Sequence, residues 1–94
     1  MKRKPISLAN QNILVYGLGK SGISSFNYLY KKNNLFCYDD YKFAQNERIK
    51  KNLINIQKIK KIKFDYIVIS PGINIKNCKL SNFLKKIKKK LLQI

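Results

Sequence analysis

Three short segments carry residue types that could handle a ligand: Gly17-Leu18-Gly19-Lys20-Ser21-Gly22, Asp39-Asp40 and Ser70-Pro71-Gly72. The first has the G-x-G-x-x-G spacing of a phosphate-approach turn. In such a turn the first glycine makes the bend, the second lets the backbone come close to a ligand, and the third lets helix and strand pack tightly. A helix starting there presents backbone N–H groups and the positive end of its dipole to an anion. Lys20 would add a full charge, and Ser21 a hydroxyl able to cap the helix or meet the ligand. The same spacing also fits a purely structural turn. The apolar run before it, Ile13-Leu14-Val15-Tyr16, and the helical spacing after it favour a ligand site.

Asp39 and Asp40 close a second apolar run, Leu35-Phe36-Cys37-Tyr38. An acid there accepts hydrogen bonds from a ribose hydroxyl or a base edge; it equally suits a helix cap or a polar turn. Ser70-Pro71-Gly72 ends a third run, Phe64 to Ile69, since proline cannot donate within a ladder and glycine admits turn angles. Its functional alternative is a rigid wall with a hydroxyl and free N–H groups. No set of residues suggests catalysis. Histidine is absent, neither cysteine has a neighbouring base, and no carboxylate pair lies in an apolar stretch. There is no G-x-x-x-x-G-K-[ST] loop, and Cys37 and Cys78 form neither a metal-binding pattern nor a disulfide framework.

The elements that must position these residues follow from periodicity. Asn12–Tyr16 predicts a strand covered on both faces. A helix is expected from Ser21 or Gly22 to about Lys32, with Ile23, Phe26 and Tyr30 on its buried face and Leu29 beside them. Asn33-Asn34 should end it as a left-handed cap. Leu35–Asp39 predicts the second strand. Asp40–Lys51 is polar and only weakly helical, with Phe43, Ala44 and Ile49 as its apolar points. Leu53–Ile56 suits a short strand, Gln57–Lys63 is ambiguous, and Phe64–Ser70 is the clearest later strand. Leu80, Phe83, Leu84, Ile87 and Leu91 mark an amphipathic helix over Leu80–Lys90, its lysines forming a solvated face. Leu91–Ile94 resembles the start of another strand.

Strands alternating with helices predict an α/β fold: a Rossmann-like open parallel sheet with helices on both faces. Residues 1–94 are expected to form one small domain, cut near the start of its last strand. Right-handed crossovers would gather the loops after the strands at one sheet edge, where such folds bind ligands. The balance of 21 Lys+Arg against 4 Asp+Glu gives a formal charge of +17. Arginine occurs only as Arg3 and Arg48, and lysine accompanies abundant isoleucine and asparagine, which reads as compositional bias. Loose attraction to polyanions is expected, but no specific nucleic-acid partner. The basic start Met1-Lys2-Arg3-Lys4 is followed by no signal-length or membrane-spanning apolar run, so a cytoplasmic setting without membrane attachment is expected; the chain is further expected to be a monomer.

Taken together, "NILVYGLGKSG" from Asn12 to Gly22, "YDD" from Tyr38 to Asp40 and "FDYIVISPGI" from Phe64 to Ile73 resemble the amino-terminal domain of the Mur ligases. The likeness is nearest to the members that join D-glutamate to UDP-N-acetylmuramoyl-L-alanine in peptidoglycan synthesis. It implies a first domain that holds the UDP part of the substrate. ATP and magnesium would bind a second domain and D-glutamate a third, both outside this segment, which would itself bind no cofactor. On that resemblance Gly17, Gly19, Lys20, Ser21 and Gly22 would border the uracil and diphosphate. Asp39 and Asp40 would meet the uracil edge, and Ser70, Pro71 and Gly72 would line the opposite side. Tyr41 departs from the basic or polar residue common there. The competing reading is an NAD(P)-binding Rossmann module of a dehydrogenase or regulatory protein, which explains the glycine turn and the acid but not Ser70-Pro71-Gly72-Ile73.

Overall fold

The computed structural model describes residues 9–41 and 46–93. Phe43, Ala44, Ile94 and the basic amino terminus lie outside the described residues. Strand β1 (Asn12–Tyr16) has no polar side, and Ile13, Leu14, Val15 and Tyr16 are all fully buried. A strand apolar on both faces belongs inside a sheet. β1 accordingly pairs in parallel with β2 (Asn34–Tyr38) on one side and β3 (Tyr66–Ile69) on the other, and β3 pairs in parallel with β4 (Leu91–Gln93). The sheet order is β2-β1-β3-β4. This is the α/β open parallel sheet expected from the alternating elements.

Crossover handedness explains which helix covers which face. The chain passes from β1 to β2 through α1 (Lys20–Leu29), then travels back across β1 to reach β3 and β4. Keeping one hand while reversing direction moves the later helices to the opposite face, except the first short helix after β2, which stays on the face of α1. Phe26 and Leu29 of α1 and Ile49 of α2 (Glu47–Asn52) pack with Ile13, Val15, Leu35 and Cys37. Ile59 of α3 (Ile56–Lys61) and Leu84 of α4 (Ser81–Lys86), with Leu80, pack with Leu14, Tyr16, Ile67 and Ile69. Alternate residues of β1 thus serve two separate cores.

Several element boundaries differ from expectation. α1 begins earlier and ends earlier, and its N-cap is Gly19, not Ser21. Its buried line is Gly22, Phe26 and Leu29; Ile23 is half-buried, and Tyr30 is exposed with the Arg48 guanidinium 4.6 Å above its ring. Asn33 ends the helix through its side chain. Its amide donates to the Leu29 carbonyl at 3.1 Å and its oxygen accepts from the Gln11 N–H at 3.0 Å, with no left-handed residue at Asn33 or Asn34. Leu53–Ile56 is not a strand. Leu53 makes a single bridge to Cys37, after which the Asn55 side chain accepts from the Lys58 N–H and starts α3. The Ile/Lys alternation of Gln57–Lys63 is therefore mostly helix. The last helix stops at Lys86, because Ile87 leaves helical geometry at φ −127°. A 3-10 turn, Lys88–Lys90, then delivers Leu91 to its pairing with Ile67. Tertiary strand pairing overrides the helical stripe there.

Candidate nucleotide-binding site

The loops after β1, β2 and β3 meet at the carboxyl edge of the sheet. β1 lies between β2 and β3, so the chain's reversal of direction opens a crevice there, the usual ligand position in open α/β sheets. A cleft of about 500 Å³ occupies it, lined by Gly17, Gly19, Lys20, Ser21, Asp39, Tyr41, Ser70, Pro71, Gly72 and Ile73. Its volume is in the range of small-molecule sites.

The glycine turn is built around one carbonyl. Gly17 has φ +106°, and a Cβ there would lie 2.5 Å from Ser70 Oγ. Ser70 donates its hydroxyl to the Gly17 carbonyl at 3.1 Å. A Cβ on Gly22 would overlap that same carbonyl oxygen. Gly17 thus makes the bend and Gly22 the helix–strand approach, while the space beside Gly19 is open. Ile23 donates to the Gly19 carbonyl at 3.0 Å, the first bond of the helical ladder. The N–H groups of Lys20, Ser21 and Gly22 precede that ladder, and no side chain caps the helix. These donors, the helix dipole and the exposed Lys20 suit a phosphate or diphosphate.

Asp39 joins two of the loops. One carboxylate oxygen accepts from the Leu18 N–H at 2.6 Å and the other from the Tyr41 N–H at 2.8 Å. Asp39 therefore acts in the turn geometry while its residue still faces the cleft. Asp40 turns elsewhere: it accepts from the Tyr16 hydroxyl at 2.8 Å and from the Lys79 N–H at 3.2 Å. Asp40 and Gly22 are absent from the cleft lining, whereas the other residues expected at the site are gathered there. Tyr41 and Ile73 line it in addition. Their signal was adjacency to Asp40 and Gly72; neither carries a motif of its own. Tyr16 was legible only as core, yet its hydroxyl anchors Asp40. Burial first, then hydrogen bonding to Cys78 and Asp40, raises its ionisation well above the usual phenol range. Burial, followed by the charges of Asp40 and Asp39, also raises that of Tyr38.

Comparison with known proteins fits this arrangement. The family described as "Mur ligase MurD-like, N-terminal domain" matches residues 11–89. The chain belongs to the Mur ligase family. A UDP-N-acetylmuramoylalanine–D-glutamate ligase of Rickettsia bellii is 46% identical over 67 residues, covering 67% of this chain and 15% of that protein. Its namesake in Lactobacillus gasseri is 34% identical over 87 residues, covering 81% of the chain and 19% of that protein. The chain thus spans less than a fifth of the length of these curated relatives. No solved structure gives a significant match. The matched region of this Mur ligase domain contains every cleft-lining residue. Among the described residues no helix is long and apolar enough to cross a membrane, and no cluster of His, Cys, Asp or Glu could hold a metal ion.

Proposed function

We propose that this Mur ligase domain recognises the UDP moiety of UDP-N-acetylmuramoyl-L-alanine, as the first domain of an ATP-dependent ligase that adds D-glutamate in cytoplasmic peptidoglycan-precursor synthesis. The observation that carries it is the cleft itself. It combines an uncapped helix N-terminus and Lys20 with Ser70-Pro71-Gly72 from the loop after β3, which a bare dinucleotide turn does not call for. In this reading Gly19, Lys20 and Ser21 meet the diphosphate, and Ser70, Pro71 and Gly72 form the facing wall. Asp39 orients the turn and offers its edge to the nucleoside, while Asp40 supports the loop from behind. In this reading the segment's contribution is binding. Phosphorylation of the substrate carboxylate by ATP and magnesium, and attack by D-glutamate, fall to the other domains of such an enzyme.

The test is an amide NMR titration with UDP-N-acetylmuramoyl-L-alanine and, separately, NADH. The UDP compound should shift Gly17–Gly22 and Ser70–Gly72 selectively, and Lys20→Ala should weaken it several-fold, as expected for loss of a charged contact worth roughly 1 kcal/mol or more. Shifts at those amides with NADH, together with silence towards the UDP compound, would overturn the proposal.

A further inference from the structure

Tyr16 carries a polar atom in an otherwise apolar stretch of β1. Its side chain is fully buried, and the ring alone would serve the core. A buried hydroxyl is costly without a partner, so the question is what this one holds. It donates to one oxygen of Asp40 at 2.8 Å, and the Cys78 thiol lies against it. The other Asp40 oxygen accepts from the Lys79 N–H at 3.2 Å, and the Lys79 ammonium donates to the Asp40 carbonyl at 3.2 Å. One phenol therefore joins the end of β1, the loop after β2 and the connection from β3 to α4. Asp39, beside the brace, accepts from the Leu18 N–H at 2.6 Å and the Tyr41 N–H at 2.8 Å, which ties the same loop to the glycine turn.

The cleft is walled by loops, and a loop holds a binding geometry only where the scaffold fixes it. Tyr16, Asp40, Cys78 and Lys79 do not line the cleft, so the network stands behind the wall. We infer that Tyr16 is a positioning residue of the site: its hydroxyl acts through Asp40 to hold the loop after β2 in register with the glycine turn. This rests on the reading of the cleft as a uridine-nucleotide site. It adds that ligand affinity depends on a core hydroxyl that forms no part of the cleft surface. Removing a hydrogen bond to a charged partner, and with it the hold on the loop, should weaken binding roughly threefold or more.

The experiment compares the wild type, Tyr16→Phe, Asp40→Ala and the double variant by amide hydrogen exchange in the free protein and by titration with UDP. Tyr16→Phe keeps the ring and removes only the hydroxyl. Exchange at the Leu18 and Tyr41 amides should rise in both single variants, and more than at the sheet amides of Val15 and Val68. UDP affinity should fall roughly threefold or more in each, and the double variant should lose no more than Asp40→Ala alone, because the two groups act as one unit. Unchanged exchange and affinity in Tyr16→Phe overturn the inference and leave the uridine site standing. A further loss when Tyr16→Phe is added to Asp40→Ala also overturns it, since the hydroxyl would then not act through Asp40. So does an equal rise at all four amides, which marks general loosening of the fold. Should Tyr16→Phe not fold, Asp40→Ala alone decides by the same two readings. A wild type that binds no UDP, with selective exchange at Leu18 and Tyr41 in the variants, overturns the site reading and with it the role in binding.

Discussion

At the scale of single residues, the Gly17 carbonyl oxygen is a point where Ser70, Gly22 and the turn all meet. A methyl group at Gly22 would have to displace backbone, not a side-chain tip. Gly22→Ala should therefore destabilise the domain by about 1–3 kcal/mol, the usual cost of overpacking, read from the urea midpoint. Gly19→Ala meets open space, so it should cost only the helix-cap difference between glycine and alanine, less than Gly22→Ala. Cys37 offers a different handle. Burial pushes its thiol up to about 12, whereas the unfolded thiol ionises near ~8.5. Its contribution to stability is thus complete below about pH 8.5 and is lost as pH rises towards 12. Tyr16 and Tyr38, both shifted upward, act in the same sense at still higher pH. Urea midpoints should be flat from pH 6 to 8 and fall above about pH 9; a midpoint that stays level to pH 11 would contradict this.

At the scale of elements, the short helices depend on their ends. α2 and α3 have 6 residues each, too few to be stable alone, and each starts at an asparagine whose side chain accepts a backbone N–H at 2.9 Å. Asn55→Ala should cost about 1 kcal/mol, and Asn46→Ala a similar amount, in chemical denaturation. The same helices show what could be read beforehand. β1 and β3 were legible because unbroken apolar runs have one reasonable home, the inside of a parallel sheet. The glycine turn was legible because its spacing serves a close approach that only glycine permits. α3 was not, since Ile/Lys alternation over so short a span fits strand and helix equally, and the deciding feature is the Asn55 cap. The end of α4 was misread for a different reason. Ile87 and Leu91 continue the helical stripe, but Leu91 gains more from pairing beside Ile67. Within the site, the gathering of three loops followed from topology. The orientation of Asp40 did not, because it depends on a hydroxyl from Tyr16 that sequence marks only as core.

At the scale of the whole molecule, charge is unevenly placed. Asp39 and Asp40 stand at the cleft edge and Glu47 opens α2 just after them, while the fourth acid, Asp65, sits at the strand-start edge and accepts from the Asn12 N–H. The opposite edge, where the strands start, collects the lysines at the helix ends. Lys31 and Lys32 follow α1, Lys60 and Lys61 close α3, and Lys88–Lys90 precede β4, with the Lys90 ammonium donating to the Phe64 carbonyl at 2.9 Å. With a formal charge of +17, self-repulsion opposes the compact state, and salt screens it. Thermal unfolding at low buffer strength should therefore shift upward by several degrees on adding about 0.2 M sodium chloride, where the Debye length is below ~8 Å. An unchanged or lower melting temperature would show that the lysines are too well solvated to matter.

Most of the lysines at the helix ends lie at the edge opposite the cleft, although Lys20 and Lys79 stand on the cleft side, and this uneven charge biases how the molecule meets charged supports. Adsorbed to a sulfonate resin, it should attach by the strand-start edge and leave the cleft towards the solvent. On the proposed reading of the cleft, a column loaded this way should still capture a uridine nucleotide from the flow, and release it without releasing the protein.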